Sequence, residues 1–192
     1  MRKLALVFAV VMAAGIRVAA AHTIGAFGAG PAEGFLHPLG GLDHMLAMVA
    51  VGLWATQLGG RAQWALPSAF VLAMVAGAAV ALAGVTLPGV ESGVLVSVLV
   101  LGLAISSGVA LPLAVPLAVV AVFAVFHGHA HGLELPEAMS PLGYAAGFVV
   151  ATAALHGVGI GIALLLRRSW GAAAVRSAGA AVVLGGLALV AG

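Results

Sequence analysis

Six apolar runs, near residues 39–58, 64–84, 92–110, 112–132, 142–166 and 172–191, follow one another with only short breaks between them. Each is close to the ~20 residues that a helix needs to cross the hydrocarbon core of a bilayer. Inside lipid the backbone must satisfy its own hydrogen bonds, so runs of this kind must be helical. The chain therefore reads as an all-α, polytopic membrane protein with six transmembrane helices. Composition agrees: 64% of the 192 residues are apolar and 6% are charged, with a mean hydropathy of +1.28. The short connections predict that helices adjacent in sequence pack as antiparallel neighbours.

Ahead of these runs, Met1-Arg2-Lys3 is a basic start, Leu4 to Ala14 is a short apolar stretch, and Ala19-Ala20-Ala21 is a small-residue cleavage signal. Residues 1–21 thus read as a cleavable N-terminal signal peptide and 22–192 as the six-helix transmembrane domain. The apolar run before Arg17 is too short to span. Cleavage would leave His22 as a new N-terminus outside the inner membrane. Arg61, Arg167 and Arg168 then fall in cytoplasmic loops, with Arg176 just inside the last helix. Glu33, Glu91, Glu134 and Glu137 fall on the outer side. This is the distribution that the positive-inside rule asks for, and it predicts a multi-pass inner-membrane protein with a periplasmic mature N-terminus.

Several function classes drop out. A net charge of +2 without a basic patch gives no nucleic-acid signal. With no cysteine there is no disulfide, thiolate metal site or iron–sulfur cluster. Lys3 is the only lysine, so no phosphate-binding loop with its G-K-[ST] signature can exist.

Chemistry concentrates in two stretches. The first is His37-Pro38-Leu39-Gly40-Gly41-Leu42-Asp43-His44-Met45-Leu46-Ala47-Met48. Pro38 suits the first position of a helix, and a helix starting there could place His37 and His44 on one face. The second is Phe126-His127-Gly128-His129-Ala130-His131-Gly132-Leu133-Glu134-Leu135-Pro136. On a helix, His127, His131 and Glu134 share a face at successive turns, while His129 points elsewhere. Pro136 should stop the helix near water. Glu91 opens the third helix at the same side, and His156 lies about halfway down the fifth. A lone intramembrane histidine can simply satisfy a backbone carbonyl of a neighbouring helix. Acids inside or bordering apolar helices need a partner, and here the available partners are imidazoles or a bound cation.

Imidazole with carboxylate suits Ni²⁺, Co²⁺, Zn²⁺ or Cu²⁺, whereas Mg²⁺ and Ca²⁺ want an all-oxygen shell and Cu⁺ wants sulfur. The candidate metal ligands are His37, Asp43, His44, Glu91, His127, His131, Glu134 and His156. A route from the outer cluster through His156 to the cytoplasm would spread the cost of dehydrating an ion over several partial sites.

The two long motifs, together with Ala151-Thr152-Ala153-Ala154-Leu155-His156-Gly157, resemble the HupE/UreJ proteins, accessory to hydrogenase and urease. The resemblance covers essentially the whole chain. It implies a nickel, sometimes cobalt, permease that supplies metal for enzyme maturation, and it carries over His37, Asp43, His44, His131 and Glu134 as motif residues, with His127 and His156 beside them. Ni²⁺ or Co²⁺ would be the transported substrate, with no permanently bound cofactor and no enzymatic activity. Leu39-Gly40 stands where family members often carry Ser before the second glycine.

Two rival readings use the same residues. A zinc-dependent intramembrane hydrolase also combines an Asp, an H-x-x-x-H pair such as His127 and His131, and a further His. A haem protein would use paired histidines on facing helices.

Overall fold

The computed structural model describes residues 30–134 and 140–191. The expected signal peptide, His22, Pro136 and Glu137 lie outside the described residues. The described residues form seven helices: α1 (Pro31–Gly40), α2 (Leu42–Leu58), α3 (Ala62–Leu82), α4 (Val90–Ser107), α5 (Ala114–Leu133), α6 (Pro141–Trp170) and α7 (Ala172–Ala191). Helices α3 to α7 are each long and apolar enough to cross a membrane. The α1–α2 pair makes a sixth span if it is counted as one.

That pair is where the sequence reading needs correction. The first helix does not begin at Pro38. Pro31 takes the first helical turn, and Pro38 lies inside α1. A proline there withholds one N–H from the helical ladder. Two residues on, the helix stops, and Gly41 takes an extended conformation (φ −104°, ψ 122°). The ladder restarts with Met45 N–H donating to Gly41 O at 3.0 Å, and α2 leaves at 90° to α1. His37 and His44 therefore sit on different helices and cannot share a helical face.

Helix α2 is the centre of the bundle. Every residue from Ala47 to Thr56 except Val49 is buried, and α3, α4, α6 and α7 all pack on it. A helix apolar on every side can be enclosed in this way. The other pairings differ from those expected from loop length. The most extensive contacts are α3 with α5, α4 with α7, and α6 with both α1 and α2. Chain neighbours α3 and α4 barely touch.

Glycines explain the choice of partners. A Cβ on Gly128 of α5 would strike the Met74 backbone of α3, and one on Gly77 would strike the Val125 backbone. Gly52 of α2 lies against the His156 carbonyl, and Gly159 of α6 against the Val49 carbonyl. Without a hydrophobic drive between helices in lipid, such close backbone approach is what favours one pair over another.

The two ends of the bundle differ in charge. At one end Arg167 Nη1 donates to Thr56 O at 2.9 Å, Arg176 Nε donates to Ser106 O at 2.9 Å, and Gln57 Nε2 donates to Ile105 O at 2.8 Å. The two arginine bonds satisfy carbonyls that the ends of α2 and α4 leave without helical partners. Arg61 and Arg168 lie at the same end, while Glu91 and Glu134 lie at the other.

Candidate metal centre

The histidine face of α5 meets the bend between α1 and α2. His127 and His131 lie one turn apart on α5, and both are buried. Glu134 caps the helix just past Leu133. His37 comes from α1, and its Nε2 donates to Glu134 Oε2 at 2.9 Å. His131 Nδ1 is 3.4 Å from the same oxygen. Ligand atoms of His37, His131 and Glu134 all lie within 4.8 Å of one another. The imidazoles of His131 and His37 hold the Glu134 carboxyl well below the usual carboxylate range.

A second layer lies beneath. His44, in the first turn of α2, has its ring centroid 4.4 Å from that of His131 and 5.1 Å from that of His127. Asp43 accepts from His44 Nδ1 at 2.7 Å and from the His44 backbone N–H at 2.8 Å. A carboxylate on Nδ1 fixes the tautomer and leaves the Nε2 lone pair free for a metal. His127 is set in the same way by a backbone oxygen: its Nδ1 donates to Phe123 O at 2.9 Å. Nε2 of His44, of His127 and of His131 has no hydrogen-bond partner among the described residues. Buried polar atoms are nearly always satisfied, and these three imidazole nitrogens, close together, are donors that a cation could take up.

Below His127 the column continues through an aromatic ring. Phe70 of α3 lies 5.5 Å from His127 and 5.1 Å from His156, centroid to centroid. The imidazoles thus form a line from a half-exposed mouth at Glu134, whose side chain is 51% exposed, to the fully enclosed His156.

Six of the eight residues singled out in the sequence, His37, Asp43, His44, His127, His131 and Glu134, meet at this centre. Asp43 reaches it through His44. His156 stands apart beyond Phe70. Glu91 is exposed on the first turn of α4 and makes no ion pair or hydrogen bond among the described residues. His129, on the opposite side of α5, donates Nε2 to Val85 O at 2.8 Å. That bond ties the end of α5 to the segment after α3, which is a structural role.

Sequence reasoning passed over the aromatic wall. Tyr144 and Phe148 of α6 are buried. Phe148 lies 4.1 Å from His131, and Tyr144 lies 5.7 Å from His37. Their signal was available: Tyr144, Phe148, Thr152 and His156 recur every fourth residue, which puts all four on one face of α6.

Residues 6–189 match the family described as HupE / UreJ protein. The chain belongs to that family. It is also 47% identical over 175 residues to the protein named Protein HupE from Rhizobium leguminosarum bv. viciae, an alignment covering 91% of each chain. No solved structure gives a significant match. As a HupE / UreJ protein whose described residues include five helices long and apolar enough to cross a membrane, the chain is a multi-pass membrane protein.

Proposed function

We propose that this HupE / UreJ protein carries Ni²⁺, or Co²⁺, across the inner membrane and supplies it for hydrogenase or urease maturation. It is a facilitator or secondary carrier and not an enzyme. The observation that carries the reading is the meeting of His37, His131 and Glu134 from two helices, with their ligand atoms within 4.8 Å, at the charged mouth of a membrane bundle.

The chemistry follows from the donor set. Glu134 at the mouth attracts a hydrated cation, and His37 and His131 replace part of its water shell. His44, oriented by Asp43, and His127 offer the next nitrogen donors inward. Nitrogen and carboxylate together suit borderline divalent ions and disfavour Mg²⁺ and Ca²⁺. Exchanging ligands one at a time spreads the dehydration cost, and no single site is deep enough to trap the ion. A Kd near 1 μM already corresponds to about −8 kcal/mol. The bundle end bearing the arginines faces the cytoplasm by the positive-inside rule, which turns the mouth outward.

The test is radiolabelled Ni²⁺ uptake into proteoliposomes, comparing wild type with His131→Ala and Asp43→Ala, and with Co²⁺, Zn²⁺ and Mg²⁺ as competitors. Saturable uptake that both substitutions abolish, blocked by Co²⁺ and not by Mg²⁺, is the expected result. Absence of uptake together with stoichiometric Zn²⁺ retained through purification would favour the intramembrane hydrolase.

A further inference from the structure

We propose that His156, with Thr152 and Met74 one turn above it, forms a second, inner ion site, with the ring of Phe70 between its imidazole and that of His127. The proposal rests on the carrier reading above and adds to it a place where the ion halts before release.

His156 is 1% exposed, and neither of its ring nitrogens has a partner among the described residues. Its situation differs from that of His129, which spends a nitrogen on a neighbouring carbonyl. A histidine kept only to tie helices together would do the same. One turn toward the mouth on the same face of α6, the Thr152 hydroxyl donates to Met74 Sδ at 3.7 Å. Met74 in turn lies one turn beyond Phe70 on α3. The two helices run in opposite directions, so Met74 stands beside Thr152 where Phe70 stands beside His156.

The donors are therefore an imidazole, a hydroxyl and a thioether, with no carboxylate. This set still favours transition metals over Mg²⁺, and it is softer and less charged than the outer cluster. It should hold a divalent ion more weakly, as a release site must. Phe70 is fully buried and meets both His127 and His156 edge-on, so its ring must move for an ion to pass between them. Directly beneath, Gly52 packs on the His156 carbonyl and Gly159 on the Val49 carbonyl. Onward passage at this level requires α2 and α6 to part.

Equilibrium binding of Ni²⁺ to the untagged, detergent-solubilised full chain tests this, with proteoliposome flux measured on the same preparations. Wild type should show two classes of site. His156→Gln should lose the weaker class and keep the tighter one, which also reports that the variant is folded. Met74→Leu, nearly equal in volume, should weaken the second class without touching the first. His131→Ala should lose the tighter class and retain the weaker. A single class in wild type, or two classes surviving in His156→Gln, would overturn the inner site. Wild type that binds one class yet carries Ni²⁺ removes the inner site and leaves the carrier standing. Two classes without flux would support the inner site and overturn the carrier.

Discussion

Asp43 illustrates how little of a residue's role its type alone reveals. In the sequence it is one of several candidate ligands. In the folded chain its carboxylate engages His44 Nδ1 at 2.7 Å, so in the proposed carrier it would act on an ion chiefly through the imidazole it orients. Such outer partners typically contribute ~10–100-fold to metal affinity. Asp43→Asn should therefore raise the Ni²⁺ Kd by about that factor in a binding titration while leaving the thermal midpoint of the protein unchanged. A loss of folding instead would make Asp43 a structural residue. Proton linkage at the mouth has a definite sign. Imidazoles bind metal only when neutral, and an ordinary histidine titrates near 6.5. Glu134 has its carboxyl lowered by His131 and His37, so it stays ionised throughout the range in which ordinary histidines gain their protons. Ni²⁺ affinity should fall on acidification, and that loss belongs to the imidazoles. Affinity that stays level between about pH 8 and 5 would mean that no imidazole gaining its proton in that range holds the ion.

Each long helix could be read from the sequence because apolar length is a local property. The expected segments and the observed α3 to α7 differ by only a few residues at most ends. The first span was misread because Pro38-Leu39-Gly40-Gly41 looks like a helix start, and the true start at Pro31 lies in a less apolar stretch. What places a helix against its neighbour is finer. Gly128 has room only for a hydrogen, since the Met74 backbone occupies the position of a Cβ. Gly128→Ala improves helix propensity by roughly 1 kcal/mol in isolation. Overpacking a tight contact costs typically ~1–3 kcal/mol, and here the obstacle is backbone, which cannot rotate away. The net result should be a lower thermal midpoint, and because Gly128 lies between His127 and His129, a displaced His127 as well. A variant as stable as wild type would show that the α3–α5 crossing can open without penalty.

For the whole molecule, the absence of cysteine makes orientation directly measurable on single-cysteine variants. Ser140→Cys, at the mouth end, should react with an impermeant maleimide from outside intact cells. Trp170→Cys, beside the arginines at the foot of α6, should react only after permeabilisation. The reverse pattern would invert the direction of the ion path. The all-α membrane class, the five long apolar helices, the segregation of arginines from acids and the histidine face of α5 were legible beforehand, because hydropathy, charge and the 3.6-residue period act within one segment. The pairing of α3 with α5 and α4 with α7, the 90° break that turns His37 and His44 toward His131 from two sides, and the aromatic wall around the column were not. Helices that are apolar on nearly every face carry no stripe announcing a partner. Backbone contact between distant glycines makes that choice, and only the assembled bundle contains it.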